Sequence, residues 1–236
     1  MARKPFTGTT YGLYTDMLKQ PHLLIAGATG SGKSVIINSL IYTALFRSPD
    51  QVQFIFIDPK RVELIDFSRV SHCVKYASEP DEMIAALQMA ISITEQRYKQ
   101  MRRKRVKTFS GGDLYVVIDE LADLMTTAKK QVQPIIQRLC QIGRAARVHV
   151  IAATQCPLSC VIPTPIKVNF DARVGLRTRS AQDSRNILGC TGCELLPRYG
   201  QGYYMTAEGI HLYNIPMYEP ETIQAMIKYR KRGLFG

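Results

Sequence analysis

The chain has 236 residues, which is enough for one large α/β domain with a substantial buried core. Lysine and arginine total 31 against 19 aspartate and glutamate residues, a formal net charge of +12. This surplus favours a polyanionic partner such as nucleic acid or an anionic membrane surface, although composition alone also fits a basic protein with no such partner. No apolar run approaches the ~20 residues of a membrane span and no signal peptide is recognisable, so a cytoplasmic location is expected. A membrane anchor in a longer parent protein stays open.

Short apolar runs alternate with longer segments of helical period, which is typical of an α/β fold with a mainly parallel sheet flanked by helices. No repeat or long linker interrupts residues 1–236, which predicts a single domain. The predicted strands are residues 23–26, 52–57, 73–76, 114–118, 148–153 and 172–176, with a hairpin at 202–205 and 210–213. The predicted helices are 34–46, 80–105, 131–142 with Pro134 in its first turn, 180–188 and 219–230.

A glycine-rich loop joins the first predicted strand to the first predicted helix. It consists of Gly27, Ala28, Thr29, Gly30, Ser31, Gly32, Lys33 and Ser34. The glycines let backbone amides approach phosphate oxygens, and the helix directs its positive end at the same charge. Lys33 is expected to reach the β- and γ-phosphates of ATP, and the Ser34 hydroxyl to ligate Mg²⁺. The loop in this strand–loop–helix setting therefore predicts an ATP site.

The strand predicted at residues 114–118 ends in two adjacent carboxylates, Asp119 and Glu120. Asp119 can hold Mg²⁺ through water, and Glu120 can polarise the attacking water as a general base. The alternative is that the two residues simply cap a loop after a strand. A glutamate directly after the aspartate favours hydrolysis over the chemistry of many kinases and small GTPases, so we expect both residues to be catalytic.

Two polar residues flank the strand predicted at residues 148–153. Gln155 follows it and is expected to sense the γ-phosphate or to orient the water, although spacing alone also fits a polar residue at a strand end. Arg144 precedes it, after a predicted helix, and an arginine at a subunit edge can stabilise the transition-state charge in a neighbouring site. Most arginines in such a position are solvated or salt-bridged, so spacing alone does not assign this role.

These motifs together resemble the motor of the FtsK/SpoIIIE DNA translocase family. The similarity runs in order through residues 21–34, 57–60, 95–98, 118–125, 144–149, 153–155, 183–188 and 194–196. The resemblance implies a RecA-like P-loop NTPase sheet, with the strand at 148–153 between the phosphate-loop strand and the carboxylate strand. It also implies a hexameric ring around double-stranded DNA, with ATP at subunit interfaces and Arg144 acting in trans.

The chain departs from the family pattern at three places. Cys156 replaces the arginine that usually follows Ala-Thr-Gln, Cys193 replaces the alanine of Gly-Ala-Glu, and the segment 197–200 is unusual. The short stretch before the phosphate loop and the chain's end at Gly236 lead us to expect a core motor domain without an accessory or winged-helix module. The basic run 102–107 either touches DNA or is a solvated helix end.

Four of the six cysteines have a spacing that loosely resembles a four-thiolate metal site. They are Cys156, Cys160, Cys190 and Cys193. The irregular spacing and the prolines at 157 and 163 favour ordinary reduced thiols instead.

Three functions fit these observations. The first is ATP-driven translocation of double-stranded DNA, in chromosome segregation or in transfer of a conjugative or viral element. The second is protein secretion of the type VII kind, whose ATPases carry FtsK-like domains, and the third is a nucleotide-dependent switch or platform without motor activity. The positive charge and the motif at 118–125 favour DNA, while the intact set of Lys33, Asp119, Glu120 and Arg144 disfavours an inert platform.

Overall fold

The computed structural model describes residues 10–158 and 162–215. Within them, eight strands form one sheet in the order β3-β2-β4-β5-β1-β6-β7-β8. The strands are β1 His22–Ala26, β2 Val52–Ile57, β3 Cys73–Ala77, β4 Asp113–Ile118, β5 Val148–Thr154, β6 Ala172–Gly175, β7 Gln201–Thr206 and β8 Gly209–Asn214. The first six are parallel, and β7 and β8 add an antiparallel hairpin. The predicted α/β class, the hairpin and the position of β5 between β4 and β1 are confirmed.

Helices cover both faces of the sheet. They are α1 Thr10–Lys19, α2 Lys33–Leu45, α3 Pro80–Lys104, α4 Leu121–Ala146, α5 Thr164–Lys167 and α6 Ala181–Leu188, with 3-10 helices at Ile65–Arg69 and Cys193–Leu195. Side chains of α1 and α2 form one core with alternate residues of the strands, and those of α3 and α4 form a second core on the opposite face. This alternation is what strands buried on both faces require.

The prediction for the segment after Glu120 was wrong at its start and at Pro134. The helix α4 begins at Leu121, because the Glu120 carboxylate caps it by accepting from the Ala122 N–H at 3.3 Å. Ala128, with φ −141° and ψ 34°, kinks α4, and the chain is helical on both sides of it. Pro134 therefore lies inside a long broken helix and not in the first turn of a separate one.

Helix α1 was not predicted, although Tyr14, Met17 and Leu18 carry helical spacing and are buried against α2. The short helices at 65–69, 164–167 and 193–195 were also missed, while the helix predicted at 219–230 lies outside the described residues. Across residues 10–158 and 162–215, no helix has the length and apolar character needed to cross a membrane.

Candidate functional site

The phosphate loop follows β1 at the carboxyl edge of the parallel sheet, between the ends of β5 and β6, the strands on either side of β1. The Gly27 N–H donates to the Thr154 carbonyl at 3.3 Å, and the Ala28 N–H donates to the Arg177 carbonyl at 2.8 Å. A Cβ on Gly27 would meet Leu176 Cβ at 2.6 Å, so only glycine allows this approach. Gly32 has φ 101° and starts helix α2, a conformation that favours glycine. The loop is thus fixed with its amides at a helix N-terminus, as predicted for anion binding.

Lys33 is buried inside this loop. Its Nζ donates to the carbonyls of Gly27 at 2.8 Å and Ala28 at 3.0 Å. Burial lowers the pKa of Lys33 to about 8, and the nearby Glu120 carboxylate opposes that shift. An anion bound by the loop would favour the charged ammonium, so the lysine is suited to phosphate.

A cavity of about 280 Å³ opens over the loop. Seven of the predicted site residues line it together, namely Thr29, Gly30, Gly32, Lys33 and Ser34 of the loop with Asp119 and Gln155. These side chains come from the loop and from the carboxyl ends of β4 and β5, because the ends of parallel strands meet at one edge. Of the five residues predicted to be catalytic, Lys33, Asp119 and Gln155 thus converge on the cavity, whereas Glu120 and Arg144 do not line it.

Asp119 follows β4 and is buried. Its pKa is raised to about 7, chiefly by burial and then by the carboxylates of Glu63 and Asp58. An acid crowded in this way gains from a bound cation, which supplies the missing positive charge.

The loop and Asp119 fit a nucleotide with Mg²⁺. Ser31 Oγ is buried within the loop and has no hydrogen-bond partner among the described residues. The Ser34 hydroxyl and the Asp119 carboxylate supply the hard oxygen donors that Mg²⁺ prefers. Mg·ATP would supply both an anion for the loop and a cation for Asp119.

Glu120 differs from its neighbour because its carboxylate does not line the cavity. It accepts from the backbone N–H of Gln155 at 3.1 Å and from that of Ala122, and Lys60 Nζ lies 3.3 Å from Oε2. The side chain is 2% exposed. It therefore caps a helix and also connects the ends of β2, β4 and β5. A capping role is part of the alternative considered from the sequence, in which Asp119 and Glu120 only cap a loop after a strand.

Lys60 is a site residue that the sequence did not single out. It lines the cavity and pairs with Glu120, with 37% of its side chain exposed. The sequence feature that could have identified it is its position three residues after the end of β2. The last residue of β2, Ile57, pairs with Ile118 at the end of β4. Strand adjacency, once known, places this lysine beside the carboxylates.

Gln155 is linked directly to the phosphate loop. Its Oε1 accepts a hydrogen bond from Thr29 Oγ1 at 2.6 Å. The side chain therefore lies beside the loop, where the sequence predicted it.

Arg144 lies far from this cavity within its own chain. It is exposed in the last turn of α4, rather than after the helix as predicted, and α4 leads into the start of β5. The phosphate loop is at the other end of the parallel strands, and a seven-residue strand is roughly 20 Å long. The basic run 102–107 is also exposed and lies at the same amino edge, where α3 leads into β4.

The described cysteines do not line the cavity that contains Lys33 and Asp119, although Cys156 lies next to Gln155 and lines a neighbouring cavity with Gly27 and Ala28. Among the described residues, Cys73, Cys140, Cys156, Cys190 and Cys193 form no disulfide bond, and Cys160 lies outside the described residues. Within the described ranges, no group of three or more His, Cys, Asp or Glu residues is placed to hold a metal ion.

The phosphate loop, the carboxylates after β4 and the mainly parallel sheet define a P-loop ATPase fold. Residues 5–113 and 112–159 match the FtsK/SpoIIIE family model. The chain belongs to the FtsK/SpoIIIE family.

Similar proteins agree with this assignment. The chain is 34% identical to the DNA translocase FtsK of Rhizobium meliloti (strain 1021) over an alignment 272 positions long. This alignment covers 95% of this chain and 31% of that protein. It is 41% identical to the DNA translocase FtsK of Clostridium acetobutylicum over 198 residues, which cover 77% of this chain and 26% of that protein. The chain thus spans about a third or less of the length of these relatives.

Solved structures show the same fold. The pCW3 conjugation coupling protein TcpA, in a monomer form with ATPγS, superposes with a TM-score of 0.79 at 24% identity, over 91% of this chain and 66% of that one. The cytoplasmic domain of the Thermomonospora curvata type VII secretion ATPase EccC gives a TM-score of 0.74 at 22% identity, over 90% of this chain and 28% of that one.

Proposed function

We propose that this chain is the motor domain of an ATP-driven translocase of double-stranded DNA that works in the cytoplasm. The observation that carries the proposal is the convergence of Lys33, Ser34, Asp119 and Gln155 on one cavity in a member of the FtsK/SpoIIIE family. The relatives that are named DNA translocases share 34–41% of its residues, and the net charge of +12 suits a polyanion.

The roles of the site residues follow from their positions. The loop amides and Lys33 bind the phosphates of ATP, and Gln155 orients the attacking water from beside the loop. Mg²⁺ held by Ser34 and Asp119 would neutralise charge on the transferred phosphoryl group. Glu120 accepts the proton of the attacking water, and its carboxylate reaches the cavity by turning away from the Ala122 and Gln155 amides.

Lys60 positions Glu120 for this step. Its ammonium lies against one carboxylate oxygen and also lines the cavity, so it can follow the carboxylate as that group turns. Removing the ammonium would leave a buried carboxylate with backbone donors alone. We therefore expect Lys60→Met to lower kcat by roughly tenfold, with KM for ATP less affected, and Lys60→Arg to restore part of the loss.

Hydrolysis is completed by a second subunit. Arg144 is exposed at the edge of the sheet opposite to the phosphate loop, so it can reach only a neighbouring chain's nucleotide. A closed ring, hexameric by the family resemblance, would place each Arg144 beside the next loop and would enclose DNA in its centre.

The test is ATP hydrolysis with and without duplex DNA, with the oligomeric state measured in the same buffer. We expect DNA to stimulate turnover, turnover per subunit to rise with protein concentration, and Arg144→Ala to bind ATP without hydrolysing it. Glu120→Gln is the matching variant for a residue of the same chain as the bound ATP. It should also bind ATP without hydrolysing it.

Two results would contradict the proposal. Full ATPase activity from a strictly monomeric preparation would show that the active site is not shared between subunits. Turnover that ignores duplex DNA but responds to a secreted polypeptide would favour the secretion alternative, which rests on a likeness of fold to EccC at 22% identity.

A further inference from the structure

The segment 197–200 lies over the phosphate loop although it is far from it in sequence. It is anchored at both ends. Leu196 is buried against Ala26, the residue before Gly27, and the Gly200 carbonyl accepts the Ile215 N–H at 2.8 Å. Since Ile215 itself approaches Gly32, both anchors connect the segment to the loop.

Arg198 lies against the outer side of the loop at Gly30. A methyl group in place of the Gly30 hydrogen would be 3.6 Å from Arg198 Nη2 and 3.8 Å from Nε. The guanidinium also lies over the Tyr199 ring, 5.1 Å from its centroid. Within residues 10–158 and 162–215, none of the ion pairs between side chains involves Arg198.

Tyr199 lines the same cavity as Lys33 and Ser34 and is 52% exposed. An exposed aromatic ring that contacts a guanidinium and lines the cavity is suited to a ligand with both charge and an apolar face. A nucleotide has both.

We propose that Arg198 and Tyr199 bind the nucleotide in cis, from the side of the loop opposite to Asp119 and Gln155. Arg198 donates to phosphate oxygens beside Gly30, and the Tyr199 ring packs on the nucleoside. The guanidinium suits this role because its planar donors match phosphate geometry, whereas an ammonium would lose both the fork and the contact with the ring. This inference rests on the proposed ATP site, but it requires neither DNA nor a ring.

The experiment is calorimetric titration of the whole chain with Mg·ADP, without DNA and at a protein concentration where the chain is monomeric. We expect Arg198→Ala to weaken ADP binding about tenfold, because one charge-assisted bond to phosphate is lost. Arg198→Lys should recover part of the affinity. Tyr199→Ala should weaken ADP and GDP binding equally, because ring packing does not discriminate bases, and Tyr199→Phe should bind as the unaltered protein does.

Arg69→Ala is the matched control, since Arg69 is an exposed arginine on the 3-10 helix Ile65–Arg69, away from the cavity. It should leave the affinity unchanged, and thermal melts should show that every variant is folded. Unchanged ADP binding by Arg198→Ala, while Lys33→Ala loses it, would overturn the inference. Failure of DNA to stimulate turnover would overturn the proposed function and leave this result intact.

Discussion

The two ends of strand β4 carry buried aspartates with opposite electrostatic surroundings. Asp113 begins the strand at the amino edge of the sheet, and Asp119 follows it at the carboxyl edge. They are 6% and 7% exposed, so burial alone does not distinguish them. The difference lies in the partners that each carboxylate has in the folded chain.

Asp113 is surrounded by side-chain donors, which include the guanidinium groups of Arg47 and Arg147. Arg147 donates from Nε and Nη2 at 2.7 and 2.8 Å, Arg47 donates from Nη1 at 2.9 Å, and His149 Nε2 lies 3.2 Å away. Burial by itself would raise the pKa of Asp113, but the hydrogen bonds from His149 and Arg147 outweigh it and hold that pKa well below its ordinary range. This carboxylate is satisfied by its own chain, and its role is to join β4 to the turn after α4.

Asp119 lacks such compensation. Burial and the carboxylates of Glu63 and Asp58 raise its pKa, and Lys60 opposes them only in part. A buried carboxylate that its own chain leaves under-compensated is suited to a bound cation, whereas a compensated one is suited to holding the fold. The comparison thus distinguishes Asp119, which we propose as a cation ligand, from Asp113, whose carboxylate holds parts of its own fold together.

The largest effect should come from Asp119→Asn. The amide keeps the shape of the side chain but loses the charge that is proposed to hold Mg²⁺, so we expect ATP turnover to fall by about 10³-fold. The free energy of unfolding should rise by about 1 kcal/mol, because a disfavoured buried charge is removed. Turnover assays and urea unfolding measure the two quantities, with the exposed Asp50→Asn as control. A destabilised Asp119→Asn would contradict the assignment.

Asp113→Asn should show the opposite pattern. It breaks the ion pairs with Arg47 and Arg147, whose side chains are 41% and 35% exposed and can turn to water. We expect a loss of about 2 kcal/mol in unfolding free energy, less than for a fully buried pair. Turnover per folded molecule should stay within about twofold. A selective loss of turnover with unchanged stability would place Asp113 in the functional site instead.

The two aspartates should also give opposite pH dependences of stability. The pKa of Asp119 in the folded state, about 7, exceeds the unfolded value near 3.9. Its contribution to the free energy of unfolding is therefore present below pH ~4 and is lost as the pH rises to 7. The folded pKa of Asp113 is depressed, so its contribution is present above pH ~4 and is lost as the pH falls further.

Unfolding by urea at several pH values tests both signs. Asp119→Asn should remove a fall in stability between pH 4 and 7, whose slope cannot exceed about 1.4 kcal/mol per pH unit. Asp113→Asn should remove a loss below pH 4. If either variant instead follows the unaltered protein across its own pH window, the partners assigned to that aspartate are wrong.

The sequence predicted the phosphate loop and Asp119 because both depend on local geometry. A strand that runs into a glycine-rich loop has few conformations available, and parallel strands end at one edge. The same rule places Gln155 there, because β5 lies between β1 and β4.

Other features depended on contacts between distant segments. The orientation of Glu120 is decided by the Gln155 amide and Lys60, and the position of Arg198 by the anchoring of 197–200 at Leu196 and Ile215. No spacing within the sequence encodes such contacts. Helix α1 is different, since the spacing of its buried residues was present in the sequence and was overlooked.

The smallest effect should come from the exposed basic end of α3 at the amino edge, the edge that also carries Asp113. Lys104 is exposed there, and its charge is free to contact a phosphate of duplex DNA. Removing one such contact in Lys104→Ala should weaken DNA binding by about twofold and reduce the slope of log K against log salt by about 1, equally for all DNA sequences. Lys130→Ala, an exposed lysine on α4, is the charge-matched control. If the affinity of Lys104→Ala for DNA equals that of Lys130→Ala at every salt concentration, the run 102–107 is a solvated helix end. The amino edge would then stabilise the fold through Asp113 without contacting DNA through this run.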